Sequence, residues 1–162
     1  VNNAGVLRGE GLDLATEDYR VMMETHVDGT FFTTRAAMPH LRESAGNLVF
    51  VGSFAANYPR PTFPVYAGAK WWLKGFAKSV ESLVGDDGVA VTLINPAEVR
   101  TELEVDGRTL EDIFDEDEVT SPAEVGRVIA FAVAQPSALS EINLYTRDRL
   151  ADFKQTIRSQ DS

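Results

Sequence analysis

A tyrosine and a lysine stand four residues apart in the stretch PVYAGAKWW, where Tyr66 precedes Lys70. Residues spaced in this way share one face of an α-helix, so the two side chains are expected to meet. A free tyrosine has a pKa of about 10, and a nearby ammonium group favours its ionised form. Such a tyrosine could act as a general acid or base near neutral pH. The same pattern also occurs on solvated helix faces that have no catalytic role.

Three other motifs lie where strands are expected to end. Ser53 follows the apolar run NLVFV, and its hydroxyl could donate to a substrate oxygen and accept from Tyr66. The segment INPAEVRT (94–101) follows a second apolar run, and NNAG opens the chain. In open α/β sheets, ligands bind beyond the carboxyl ends of the strands. The motifs therefore favour one catalytic site that contains Ser53, Tyr66 and Lys70.

The elements that must position these residues alternate in type along the chain. Short runs rich in β-branched residues predict buried parallel strands at Asn47–Val51 and Val89–Ile94, with a weaker candidate at Ile142–Tyr145. Helical patterns lie between them. The order indicates an α/β fold, a doubly wound parallel sheet of the Rossmann-like type, in a single domain over residues 1–162.

Three helices are predicted from their capping signals. The first is capped by Thr16 and runs to about Arg42, with a possible bend at Pro39. The second runs from Pro64 to Val84. The third begins with the cap Ser121, Pro122 at the first helical position and Glu124 closing a capping box, and ends near Gln135.

Composition excludes several classes of function. The chain has 162 residues, no cysteine and two histidines, so neither disulfides nor a metal site is expected. Its net charge of -10 disfavours nucleic-acid binding, and its acidic, lysine-poor composition fits either an ordinary acidic protein or a halophilic one. No run has the length of a membrane helix and no signal-peptide pattern opens the chain, so a cytoplasmic protein with no membrane partner is expected.

The stretch Thr101–Val119 is acidic and weakly periodic, and it follows a predicted strand end. We interpret residues 101–120 as an acidic loop. The sequence leaves two alternatives open, which are a lid over a ligand site and a solvated surface loop.

In this order the motifs resemble the short-chain dehydrogenases/reductases of the classical type. The resemblance rests on NNAG (Asn2–Gly5), on Ser53, on the Tyr66/Lys70 pair and on the NPxxVxT pattern of Asn95–Thr101. It implies an oxidoreductase that transfers a hydride between NAD or NADP and a small carbonyl or alcohol substrate. It also implies a homo-oligomer formed through the helices at 16–42 and 64–84.

The family's residue roles can be carried over to the matching positions. Tyr66 would be the acid–base catalyst, Lys70 would assist it electrostatically and bind the nicotinamide ribose, and Ser53 would orient the substrate oxygen. The residues that the resemblance places against the cofactor are Asn2, Ala4, Gly5, Tyr66, Lys70, Pro96, Val99 and Thr101.

Two positions depart from the family's pattern. His26 stands where the family has an asparagine that holds a water linking the lysine to solvent. His26 could join this relay and make it sensitive to pH, or it could simply pack within its helix. Ala97 stands where the family has a glycine, which puts the contacts with the nicotinamide in doubt.

The sequence contains no glycine-rich phosphate-binding turn and begins near the end of what would be the family's fourth strand. It therefore resembles the C-terminal part of the family's fold, truncated at the N-terminus. Loss of charge-assisted phosphate contacts should weaken cofactor binding, so the 162-residue chain alone is expected not to turn over a carbonyl substrate. The alternative function is a catalytically inactive half-domain that acts as an interaction or structural module.

Overall fold

The computed structural model describes residues 1–100, 104–105, 108–109 and 119–146. The helices are α1 (Thr16–Met23), α2 (Thr30–Ser44), α3 (Pro64–Val84) and α4 (Pro122–Val133). The strands are β1 (Asn47–Val51), β2 (Ala90–Pro96), β3 (Glu104–Val105), β4 (Arg108–Thr109) and β5 (Glu141–Leu144). A π-helical turn covers Glu24–Gly29, and 3-10 turns cover Phe54–Ala56 and Gly85–Asp87.

The main sheet consists of parallel strands in the order β1-β2-β5. Val51 pairs with Ile94, and Pro96 pairs with Leu144. Asn2 forms a parallel bridge on the other side of β1, so the start of the chain lies beside that strand. This arrangement confirms the predicted Rossmann-like parallel sheet. Because the strands are parallel, their carboxyl ends meet at one edge.

The described core lies between the sheet and the helices α2 and α3. On α3 the buried positions recur at Leu73, Ala77, Val80 and Val84, which is the spacing of an amphipathic helix. They pack against apolar strand residues such as Phe50, which has no exposed surface. Burial of this stripe fixes the rotation of α3 and therefore the direction of its remaining side chains.

Most element boundaries agree with the sequence predictions. β1 and α3 have the predicted bounds, while β2 lies one to two residues beyond its prediction and β5 lies one residue before its own. The predicted capping box is present: the Glu124 backbone N–H donates to Ser121 Oγ at 3.2 Å, and the Ser121 N–H donates to the Glu124 carboxylate at 2.8 Å. This helix ends at Val133, before the predicted Gln135.

The first helix differs from its prediction in two ways. Ala15 is the N-cap, so Thr16 is the first helical residue and makes no side-chain cap. The helix is interrupted by the π-helical turn, whereas Pro39 lies inside α2. The buried residues follow at intervals of four, namely Met22, His26, Thr30, Thr34 and Met38. In an α-helix of 3.6 residues per turn this spacing drifts around the axis, and a wider π turn counters the drift.

Little of the predicted acidic loop lies within the described residues. β3 and β4 pair in antiparallel fashion, and the other residues of 101–118 lie outside the description. Val99 forms a parallel bridge with Thr120, so the residues on either side of this stretch lie next to each other. Among the helices of the described ranges, none combines the length and the apolar character that a membrane span requires.

Candidate active site

The strand ends bring the predicted site segments to one edge of the sheet. Ser53 lies two residues after β1, and Pro96 is the last residue of β2. Asn2 bridges to β1, so Ala4 and Gly5 follow at the same edge. α3 returns from the end of β1 toward the start of β2, and its first turn therefore lies at this edge as well. The fold thus gathers side chains that are up to 94 positions apart in the sequence (Asn2 and Pro96).

Tyr66 and Lys70 face each other on consecutive turns of α3, as their spacing predicts. Lys70 Nζ lies 5.5 Å from the centroid of the Tyr66 ring and donates a hydrogen bond to the Val51 carbonyl at 3.3 Å. Lys70 is 5 % exposed, which is rare for a lysine. A backbone carbonyl and a ring face therefore hold its buried ammonium at the carboxyl end of β1.

Ser53 is in an extended conformation and caps the 3-10 turn that follows it. Its Oγ accepts a hydrogen bond from the Ala55 backbone N–H at 3.1 Å. The hydroxyl hydrogen is still able to donate to another oxygen, because a serine hydroxyl both accepts and donates. Ser53 is two residues beyond Val51, whose carbonyl binds Lys70, so both side chains are fixed to the same strand end.

The NNAG turn is anchored through its first asparagine. The Asn2 N–H donates to the Val49 carbonyl at 2.7 Å, and the Val51 N–H donates to the Asn2 carbonyl at 2.9 Å. The Asn2 side chain donates to Thr34 Oγ1 of α2 at 3.2 Å. Asn2 therefore holds the turn in place, while Ala4 and Gly5 are exposed at the sheet edge.

The segment after β2 is described only in part. Pro96 is buried, and Val99 is half-buried and bridges to Thr120. Ala97 does not have a positive φ, so the alanine at the family's glycine position fits the backbone without strain. Thr101, the last residue predicted to contact the cofactor, lies outside the described residues.

His26 is buried between Val6 and Tyr66, and the sequence did not predict either contact. It is 2 % exposed, and its Nε2 lies 2.7 Å from the Val6 carbonyl. Its ring meets the Tyr66 ring edge to face, with centroids 5.4 Å apart and planes at 81°. Burial above all, and then the charge of Lys70, lowers the pKa of His26 from 6.5 to about 4, although the bond to Val6 opposes this. The imidazole is therefore neutral near pH 7, so it is not poised to titrate there.

A second polar cluster continues along the same ridge of α3. Lys74 Nζ lies 2.9 Å from Glu141 Oε1, and Lys78 Nζ lies 3.6 Å from Glu141 Oε2. The buried Asn95 of β2 also donates to Glu141, at 2.9 Å. These contacts tie α3 to β2 and β5 below the Tyr66/Lys70 pair. The spacing of four residues from Lys70 to Lys74 and Lys78 predicts that these lysines share one face of α3. Their partner Glu141 comes from a distant strand, and no local pattern predicts that contact.

A small groove adjoins Tyr66. Its walls come from the loop 8–14 and from Phe63–Tyr66, with Met22 of α1 between them. Gly9 and Gly11 have φ of +57° and +60°, and the Gly11 N–H donates to the Thr62 carbonyl at 2.8 Å. The loop is thus shaped by left-handed glycines and tied to the segment before α3. Among the described residues that line the groove, Arg8 alone carries a charge.

Comparison with known proteins identifies the family. The sequence profile described as "short chain dehydrogenase" matches residues 1–111. This chain belongs to the short-chain dehydrogenase family. It is 35 % identical over 104 residues to a serine 3-dehydrogenase of Agrobacterium fabrum. The matched residues cover 63 % of this chain and 42 % of that protein. It is 29 % identical over 102 residues to a trans-4-hydroxycyclohexanecarboxylate dehydrogenase of Sinomonas cyclohexanicum. The matched residues cover 62 % of this chain and 39 % of that protein.

A solved structure of the family shows the same fold. The closed form of serine dehydrogenase complexed with NADP+ superimposes with a TM-score of 0.81 at 24 % identity. The superposition covers 88 % of this chain and 62 % of that one. The matched part of this short-chain dehydrogenase spans about two-fifths of the length of the two relatives named above.

Proposed function

We propose that this short-chain dehydrogenase is an NAD(P)-dependent oxidoreductase that interconverts an alcohol and a carbonyl compound. One observation carries the proposal: the buried Lys70 ammonium lies between the Tyr66 ring and the Val51 carbonyl. Ser53 follows at the same strand end. A phenol, an ammonium and a hydroxyl at a sheet edge are the groups that proton transfer to a carbonyl oxygen requires. Family membership favours this reading over an inactive interaction module.

The residues at this edge fit the nicotinamide and ribose part of a dinucleotide. The Lys70 ammonium has three donors and gives one to Val51, so two can bind ribose hydroxyls. The exposed Ala4 and Gly5 have little side-chain bulk, so a ring system can approach the strand end. Asn2, Pro96, Val99 and Thr101 complete the proposed contact set. Bound NAD(P)H would supply the hydride that reduces the carbonyl carbon.

The proposed proton chemistry belongs to the protein. During reduction, the Tyr66 hydroxyl gives its proton to the carbonyl oxygen as negative charge develops there, and Ser53 Oγ–H donates a hydrogen bond to the same oxygen. The Lys70 charge stabilises the tyrosinate that remains. In the oxidative direction the tyrosinate accepts the alcohol proton. Removal of the Tyr66 hydroxyl tests the proposal, since a Tyr66→Phe variant that reduced carbonyl compounds at the wild-type rate would refute it.

We further propose that the substrate carries an acidic group. Among the described residues that line the groove beside Tyr66, Arg8 carries the one charge, and a guanidinium can bind a carboxylate in bidentate fashion. This arginine stands out in a protein with 25 acidic residues and 15 basic ones. The names of the two relatives support the proposal, because serine and hydroxycyclohexanecarboxylate are both hydroxy compounds with a carboxylate.

The Arg8→Gln variant should raise KM for a small hydroxy acid or keto acid by about tenfold, which corresponds to one charge-assisted contact in a partly solvated site. Its KM for the methyl ester of the same compound should stay within about twofold, because the ester has no charge for Arg8 to bind. Steady-state kinetics on each acid and ester pair measures both. Arg20→Gln on α1, outside the groove lining, is the matched control. An equal change for acid and ester would contradict the proposal.

We also propose that a second copy of the chain covers the outer face of α2 and α3. Aromatic rings lead outward from the core there: Phe50 contacts Phe76, Phe76 contacts Phe31, and Phe31 contacts Phe32. Phe32 of α2 and Trp71 of α3 are each 52 % exposed. Such a patch is typical of an interaction surface, and a two-fold axis lets one patch bind its own copy.

The Phe32→Glu variant should therefore be monomeric under conditions in which the wild type is a dimer or larger, because the change places a charge in an apolar interface. Light scattering after size-exclusion chromatography measures the mass. Phe131→Glu is the control, since Phe131 is 59 % exposed but lies on α4. If the control variant dissociates and the Phe32 variant does not, the interface lies elsewhere.

A further inference from the structure

Three parts of the site meet at the side chain of His26. The residue lies in the π-helical turn, its ring packs on Tyr66 of α3, and its Nε2 contacts the Val6 carbonyl just after the NNAG turn. The His26 side chain thus contacts both the Tyr66 ring and the backbone that follows Gly5. His26 therefore bridges the proposed acid–base residue and the proposed cofactor-lining turn.

Each contact of His26 is geometrically specific. The neutral ring can donate Nε2–H to the Val6 carbonyl, at 2.7 Å, and it packs edge to face with the Tyr66 ring, with the two planes at 81°. Gly5 lies so close that a Cβ there would be 3.2 Å from His26 Cε1. The glycine of the turn thus leaves just enough room for the imidazole. The π turn keeps this ring on the buried face of the helix, in register with Met22 and Thr30.

We propose that His26 is a positioning residue, whose ring fixes Tyr66 and the Gly5–Val6 backbone relative to each other. This inference rests on the proposed role of Tyr66. It differs from the proton relay that the sequence suggested, in which His26 would titrate. In the structure Nε2 is committed to Val6, and the neighbouring Lys70 ammonium donates to Val51. The low pKa of His26, about 4, agrees with a ring that stays neutral while Tyr66 works.

Two variants separate the two contacts. His26→Gln can place an amide N–H near the position of Nε2 and so keep the donor to Val6, but it loses the ring. We expect kcat to fall about tenfold, because the Tyr66 ring loses the ring that packs against it. KM for the cofactor should stay within about twofold. His26→Phe keeps a ring against Tyr66 but loses the donor to Val6. We expect its kcat to stay within about twofold while KM for the cofactor rises about fivefold, the effect of losing one hydrogen bond.

Steady-state kinetics with NADH or NADPH and a small keto acid measures kcat and the cofactor KM of each variant. The protein used is the one that its source cells make. The exposed His40 of α2 supplies the matched control, and His40→Gln should change neither constant. Similar changes of both constants in the Gln and Phe variants would overturn the proposal. So would a shift of the kcat–pH profile in both variants, because that result indicates a relay. If Tyr66→Phe retains activity, the proposed catalytic function is wrong. If Tyr66→Phe is inactive but the His26 variants do not show the expected split, only the positioning role of His26 is wrong.

A measurement without turnover tests the ring contact directly. The free energy of unfolding in urea is compared for wild type, His26→Gln, Tyr66→Leu and the double variant. Because the two rings contact each other, the effects of the single changes should not add. Additive effects would show that the rings are energetically independent, and the positioning role would then be wrong.

Discussion

The Tyr66→Phe variant should lose about 10³-fold in kcat/KM for carbonyl reduction, within the range that a positioned general acid contributes. The substitution removes one hydroxyl and leaves the ring, so the contacts with His26 and with Lys70 remain. The loss should appear in kcat, because proton donation to the substrate oxygen occurs in the transition state. Initial rates of NAD(P)H oxidation with a keto acid, compared with those of the wild type, measure the effect.

The control is Tyr19→Phe, since Tyr19 lies on α1 and is 45 % exposed. Its rates should stay within about twofold of wild type. The free energy of unfolding of Tyr66→Phe should also stay within about 1 kcal/mol of wild type, because little packing is lost. A Tyr66→Phe variant that folds and keeps most of its kcat/KM would mean that another group moves the proton.

The second large effect is expected at Gly52, between β1 and Ser53. A Cβ at this position would lie 2.2 Å from Asn95 Oδ1 and 3.1 Å from Leu93 Cδ1, both on β2. Asn95 has no exposed surface, and its amide nitrogen is held by Glu141 and Asn143. The overlap therefore cannot be relieved by a small side-chain movement.

We expect Gly52→Ala to lower the free energy of unfolding by about 3 kcal/mol, at the upper end of the cost of overpacking a core. Because Ser53 is the next residue, catalytic activity should fall as well. Urea unfolding followed by circular dichroism measures the stability.

Gly126→Ala in α4 is the matched control for this change. A Cβ there meets no atom within 4 Å, and the position is an exposed helix interior. The free energy of unfolding should therefore rise by about 0.5–1 kcal/mol. Combining Gly52→Ala with Asn95→Ala should cost less than the sum of the two, because the second change removes the obstructing atom. Wild-type stability in Gly52→Ala would show that the strand ends are less tightly packed than described.

Local signals were sufficient for much of the fold. α3 begins at a proline and has a continuous apolar stripe, and β1 is a short apolar run between Gly46 and Gly52, so periodicity and composition define both. The capping box at Ser121 and Glu124 depends on residues three apart and was predicted for the same reason. The Tyr66/Lys70 contact follows from one helical turn, so the sequence predicted it without tertiary information.

Contacts between distant segments could not be predicted in this way. The π turn at Glu24–Gly29 packs against α3, and the sequence was interpreted as one regular helix because a spacing of four residues also fits an α-helix. The bond between His26 and Val6 joins residues 20 positions apart. The cluster around Glu141 joins α3 to strands that follow it by up to 67 positions. Their pairing depends on the finished sheet.

These distant contacts also fix the elements that carry the proposed site. Lys74 and Lys78 bind Glu141 of β5, which holds the middle of α3 against the sheet. Asn2 binds Thr34, which holds the NNAG turn against α2. The Tyr66/Lys70 pair lies between these two anchors. Rigid elements therefore position the proposed catalytic groups, as acid–base catalysis requires.

The central claim is that the protein transfers a hydride from the nicotinamide to a carbonyl carbon while Tyr66 gives a proton to the oxygen, and isotope transfer tests it most directly. NADH or NADPH deuterated at both C4 positions of the nicotinamide is incubated with a small keto acid and the protein as its source cells make it, and the product alcohol is weighed by mass spectrometry. We predict one deuterium in each product molecule with wild type, and almost no product with Tyr66→Phe. A product without deuterium, or equal deuterium incorporation by the Tyr66→Phe variant, would contradict the account.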